Sequence, residues 1–206
     1  MPQFMAPGVL VQEAGLMPAA IDGVGTSTAA FCGPTAKAPL AGQPDEQPPV
    51  LGSWGDFEAA YGGLGDLVCN GRTVVNHVAH AARLYFLNGG KRLLVAPCEP
   101  NPQACAAALQ SLEAVQDLSI LAIPGCHAWA AAPAAADAAV RALLAHVDRP
   151  QSWRFAVLDA PPHADLNGMR NWRAQFSSSH AALYAPHLVV ANPAAAGELL
   201  LPPSGC

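Results

Sequence analysis

A chain of 206 residues, 52% of them hydrophobic, can bury roughly 70% of its unfolded surface, which supports one core with at most a small appended lobe and excludes disorder throughout. Its charged fraction of 12% and net charge of -5 leave much of the surface uncharged, as in a subunit that covers area against copies of itself, although an Ala-rich composition alone gives a similar figure. Ten Lys and Arg scattered without a basic run exclude nucleic acid as a partner, because phosphate neutralisation needs clustered cations. The first residues lack the basic start and apolar core of a secretory signal. The uncharged run 118–136 contains Pro124, His127 and Pro133, so it reads as a buried strand, a turn and a helix start; membrane insertion is not expected.

In chain order, the first candidate element is a short β-prone segment, Val9, Leu10, Val11, Gln12 and Glu13, delimited by Pro7-Gly8 and Gly15. The Gly/Pro-rich connector after it gives the segment no immediate neighbour to fold back on, so it reads as an arm that needs an external sheet edge; the residues by themselves favour a first strand pairing within its own subunit or a frayed terminus. Gly23-Val24-Gly25-Thr26-Ser27-Thr28 invites comparison with phosphate loops. The third glycine of the dinucleotide fingerprint is absent, no Gly-Lys-Ser/Thr follows, and β-prone residues come next where a helix is needed. A turn into the first core strand is expected.

After a Pro-rich connector over 36–49, strands and helices alternate. Ser53 caps a short helix with Asp56 near the capping-box position, and Gly62-Gly63 ends it. The stretch 73–87 has helical periodicity, with Val74, Val78, Ala81 and Tyr85 on one face and Asn76, His80 and Arg83 on another, stopped by Asn88-Gly89-Gly90. A strand over 92–96 precedes a helix opened by Asn101-Pro102 and carrying Leu109, Leu112 and Val115. A strand over 119–123 is followed by a helix over 134–147 with Val140, Leu144 and Val147 inward and Asp137 four residues before Arg141, a spacing that favours a surface ion pair. The segment 155–158 is a buried strand, and 181–184 and 187–191 are expected as short edge strands. Strands joined by helical crossovers predict an α/β fold, a layered sheet of mostly parallel strands with flanking helices, preceded by an extended N-terminal arm. The expected division is an arm over 1–20, a first strand and connector over 21–48, and a core over 49–206.

The chemistry-bearing residues mostly have structural readings. Six cysteines, at positions 32, 69, 98, 105, 126 and 206, show no Cys-x-x-Cys spacing, so free buried thiols in a reducing compartment are expected. His77 and His80 with Cys69 do not make the paired spacing of a zinc site; a boundary His77 and a polar-face His80 are expected, and no metal or cofactor. Asp159, at a strand end where open α/β sheets bind ligands, could with His163, Asp165 and Ser177-Ser178-Ser179-His180 be arranged as a hydrolase site. No Gly-x-Ser-x-Gly elbow exposes a serine, and the competing expectation is that Asp159 caps the turn Ala160-Pro161-Pro162. No catalytic residue is assigned.

The opening MPQFMAPGVLVQEAG, the segment PVLGSWGDFEAAYGG (49–63), the helix and turn HVAHAARLYFLNGGKRLLVAPC (77–98), then LSILAIPG (118–125), RFAVLDAPP (154–162), AALYAPHLVV (181–190) and LLPPSG (200–205) together resemble, in order, the tail sheath proteins of contractile phage tails and related contractile injection systems. The resemblance covers nearly the whole chain but only the N-terminal half of a typical sheath protein, whose Pro-Pro-Ser-Gly turn leads into a further C-terminal region. It implies a non-enzymatic structural subunit that polymerises with copies of itself around an inner tail tube, with the baseplate as a further partner. It further implies assembly in the cytoplasm of a bacterial host and residence in a virion tail or contractile particle. On this resemblance Val9, Leu10, Val11, Gln12 and Glu13 are subunit-linking interface residues. The alternatives are a stand-alone α/β enzyme with a site near Asp159 and a truncated, non-assembling sheath remnant.

Overall fold

The computed structural model describes residues 28–37 and 48–205; the expected donor strand, the 23–27 loop and Cys206 lie outside them. In chain order the elements are β1 (Thr28–Gly33), α1 (Trp54–Tyr61), β2 (Leu67–Cys69), β3 (Arg72–Val74), α2 (His77–Leu87), β4 (Arg92–Pro97) and α3 (Pro102–Ser111). There follow β5 (Ile120–Ala122), α4 (Cys126–Trp129), α5 (Pro133–Val147), β6 (Phe155–Asp159), α6 (Leu166–Arg173), β7 (Ala181–Tyr184), β8 (Leu188–Ala191), β9 (Glu198–Leu201) and a closing 3-10 turn, Pro203–Gly205. Five strands make one sheet in the order β4-β1-β5-β6-β7, and every pairing in it is parallel. The expected layered α/β class is therefore the observed one.

Alternation along the strands sends side chains to two cores. Ala29 and Phe31 of β1 and Leu93 and Val95 of β4 pack with Phe57 and Tyr61 of α1 and Val78 and Ala82 of α2. Ala30 and Cys32 of β1 and Leu94 and Ala96 of β4 face the other way, onto Cys105 and Leu109 of α3 and Ala136, Val140 and Leu143 of α5. Both faces of the sheet are covered, which is why its strands read as continuous apolar runs.

The helix starts follow their capping residues. Ser53 Oγ accepts the Asp56 N–H at 3.2 Å, and the Asp56 carboxylate accepts from Gly52 N–H at 3.1 Å, one residue ahead of the usual capping-box donor. Asn76, Asn101 and Asp165 cap α2, α3 and α6 through Ala79, Ala104 and Gly168 N–H groups at 3.2, 2.8 and 2.6 Å.

Four expectations need correction. Helix α2 begins at His77, and Thr73 and Val74 belong to the β2–β3 hairpin, turned by Asn70 and Gly71 at φ +52° and +73°; Asn-Gly is the strongest short hairpin signal and outweighs the helical period there. His77 and His80 are both buried. Asp137 does not pair with Arg141: it accepts from Trp172 Nε1 at 2.7 Å, while the Arg141 guanidinium stacks 4.9 Å from the Phe176 ring centroid. Of the two expected edge strands, β7 is the edge of the main sheet, but β8 pairs antiparallel with β9 in a separate hairpin.

Below the sheet's N-terminal end, Arg154 is buried. Its guanidinium donates to the Val115 carbonyl and to the Glu113 carbonyl at 3.2 Å, and it meets His146 Nε2 at 2.6 Å. This ties the end of α3 and the flank of α5 to the start of β6, with an Arg149–Glu113 ion pair at its rim.

Two buried histidines make stability pH-dependent. Burial, then His80 and His187, pulls His77 down to about 4, and burial, then Arg149 and Arg154, pulls His146 down to about 4. The unfolded chain, with histidine near 6.5, binds more protons between those values, so this stability is complete above about pH 6.5 and lost as pH falls toward 4. Asp159, whose carboxyl is raised mainly by burial, works in the opposite direction at the acid end. Urea unfolding at pH 7 and pH 5 is expected to show a loss of about 1–2 kcal/mol per histidine, reduced in His146→Gln; equal midpoints would contradict the buried neutral imidazoles.

Candidate functional site

With the sheet strands counted in chain order, the arrangement runs second, first, third, fourth, fifth. The direction of winding reverses between β1 and β5, where open α/β sheets bind ligands at the carboxyl ends of the strands. Here protein fills that crevice. Gly33, at the end of β1, lies so close to α2 that a Cβ would come within 2.8 Å of Val78 Cγ2. Gly125, just beyond β5 at φ +68°, would place a Cβ 2.2 Å from the His77 ring. Trp129 of α4 is buried and donates its indole N–H to the Pro124 carbonyl at 3.2 Å. The glycines admit side chains from α2 and α4, not a ligand.

Asp159 closes the neighbouring strand end. It is 5% exposed, and its carboxylate accepts the Ser204 N–H at 2.7 Å and the Ser204 hydroxyl. The turn that Asp159 caps is thus Pro203–Gly205, 45 residues away in sequence, and not the adjacent Ala160-Pro161-Pro162. Asp159 is the anchor of the closing turn.

The serine, histidine and aspartate near β7 come together without making a triad. His180 Nδ1 lies 3.1 Å from Asp148 Oδ1 and 3.4 Å from Ser179 Oγ. Both contacts are made by the same ring nitrogen, whereas proton relay needs the acid on one nitrogen and the nucleophile on the other. Ser178 Oγ donates to Asp148 at 2.6 Å, which completes a loop tether. Asp165 caps α6, away from any such set.

Sequence spacing did not disclose a cluster of three cysteines. Cys32 ends β1's inward row, Cys98 follows β4, and Cys105 lies in the second turn of α3. The Cys32 sulfur is 3.5 Å from that of Cys105 and 3.8 Å from that of Cys98, and all three lie within 4.8 Å of one another. Hydrogen bonding with Cys105 and Cys98, then burial, holds the Cys32 thiol well up. Hydrogen bonds from Cys105 and then Cys32 pull Cys98 down. Cys105 is raised: its bond with Cys32 acts the other way, but its bond with Cys98 and its burial outweigh it. The available signal was structural, a cysteine at each of two adjacent parallel strand ends and a third just inside the helix that leaves the second.

The described cysteines are free thiols, buried except for the half-buried Cys98, as expected. No protein-family model and no curated protein sequence matches the chain. Solved structures do. A chain of the anti-feeding prophage (AFP) baseplate, determined by cryo-EM with 6-fold symmetrisation, superposes with a TM-score of 0.57 at 22% identity, over 98% of this chain and 51% of that one. A chain of the contracted sheath complex of PVC, an extracellular contractile injection system, superposes with a TM-score of 0.57 at 17% identity, over 100% of this chain and 49% of that one. The likeness is one of fold. The chain spans about half the length of each of these neighbours.

If closure of the crevice is structural, Gly125→Ala is costly, since it places a side chain at positive φ and against His77. A loss of about 2–4 kcal/mol in urea unfolding is expected from the left-handed backbone and overpacking together; an unchanged midpoint would show an open crevice.

Proposed function

We propose that this protein is a structural subunit of a contractile injection apparatus, of the sheath kind, that assembles with copies of itself around an inner tube. The observation that carries this reading is the match of essentially the whole chain to half of a subunit in each of two contractile assemblies, one named as a sheath complex. The geometry agrees: the usual ligand crevice is packed shut, and the strand-end acid is committed to an internal turn. Large apolar side chains stand in water instead, with Trp153 89%, Val68 78% and Leu87 70% exposed, as suits a surface covered on assembly.

Val9, Leu10, Val11, Gln12 and Glu13 serve in this reading as the donor strand that links neighbours, with main-chain hydrogen bonds supplying the attraction and repacking of subunits supplying the work of contraction. The baseplate chain among the neighbours favours a second reading, a subunit of the ring at the base of the tube. The two differ in product: a sheath subunit forms stacked polymers, a baseplate subunit a closed ring.

Deleting residues 1–15 tests the proposal. Circular dichroism and the melting temperature should stay near those of the full chain while self-association, read by analytical ultracentrifugation, is abolished. Undiminished oligomers after the deletion would contradict the linking arm.

A further inference from the structure

The three-cysteine cluster has a geometry that neither core packing nor assembly requires. Its three sulfurs converge from two parallel strand ends and a helix, and two of the separations are 3.5 and 3.8 Å. A tetrahedral thiolate site with metal–sulfur bonds of about 2.3 Å sets its sulfurs about 3.8 Å apart. A disulfide, by contrast, would require one pair to close to about 2.05 Å and would strand the third thiol. The cluster also has an entrance. Cys98 is half-buried and borders an open cleft of about 550 Å³, whose walls include Thr35, Val68, Cys69 and Glu99.

We propose that Cys32, Cys98 and Cys105 form a binding site for a thiophilic divalent cation of the zinc class, with the fourth coordination position taken by water at the cleft. Soft thiolate donors select zinc or monovalent copper over oxygen-seeking cations. Charge decides between them: three thiolates leave a net charge of -1 around a divalent ion and -2 around a monovalent one, and a larger uncompensated charge is costlier next to an apolar core. On binding, each Sγ–H bond breaks, the three protons pass to water through the cleft, and three metal–sulfur bonds form without change of oxidation state. The ion joins β1, the end of β4 and α3, so it acts as a staple at the centre of the sheet. Cys126 stays outside the cluster and the cleft and serves as the control.

The test uses the full chain, purified under reductant and stripped with a chelator. Zinc titrated against a chromogenic chelator should bind at one ion per chain and raise the melting temperature. Cadmium as a probe should give a thiolate-to-metal absorption band, and X-ray absorption at the zinc edge should find three sulfur neighbours. Cys98→Ala, at the half-buried position, should weaken binding by more than the roughly 10–100-fold that loss of an outer contact costs a metal site, while Cys126→Ala binds as the parent does. Fewer than three sulfurs at the zinc of the parent protein, or undiminished binding by a folded Cys98→Ala, overturns the assignment. The absorption measurement needs no variant, so it decides the matter even where Cys98→Ala does not fold.

Discussion

The close approach of α2 and α4 to the ends of β1 and β5 is the constraint on which the rest of the structure depends. It is possible only because Gly33 and Gly125 present no Cβ to Val78 and His77. Once those helices settle there, the crevice is occupied and the His77 imidazole is buried. The closing turn can then lie against the start of α2 and hand Ser204 to Asp159. A buried carboxylate accepting from N–H and O–H donors is costly to leave unpaired, so this contact holds the far end of the chain onto the sheet. The sheet's other end is held by Arg154, which donates to the Val115 and Glu113 carbonyls and meets His146.

This arrangement has a functional consequence. An α/β sheet of this order usually offers its switch point to a small molecule; here Val78, His77 and Trp129 pack against the glycines at that point, and Asp159 beside it is engaged by Ser204. The exterior carries few charges and several exposed large apolar residues, Trp153 foremost. The fold is similar to about half of a chain in each of two contractile assemblies. The cysteine cluster is separate from that logic and concerns how the centre of the sheet is held.

The sheet was legible in the sequence because every core strand is a short apolar run bounded by turn residues, and α1 and α3 were legible from Ser53, Asn101 and Pro102. The β2–β3 hairpin was obscured because Val74, the last residue of β3, keeps helical spacing with Val78, Ala81 and Tyr85 of α2, so periodicity drew the end of the hairpin into the helix and masked the Asn70-Gly71 turn signal before it. Helix α6 escaped because it is only eight residues long, carries Gly168 and buries little besides Trp172, so Leu166, Met169 and Trp172 make too short a stripe to separate from a loop. The partners of Asp159, Asp137 and Arg141 were unreadable for one reason: each is engaged by a residue more than thirty positions away, and single-sequence spacing reports only local neighbours. The same holds for the thiol cluster, where Cys32 lies 66 and 73 residues from its two companions.

The central claim, that this chain works as one repeated unit of a contractile particle, is tested most directly by sedimentation of lysate from the producing cell, probed with an antibody to residues 48–205 and followed by electron microscopy of the reactive fraction. The account predicts that the protein travels with fast-sedimenting tubular or ring-shaped particles and decorates their outer wall. Recovery of the protein solely as a slow-sedimenting monomer, while tube-bearing particles sediment without it, would contradict the account.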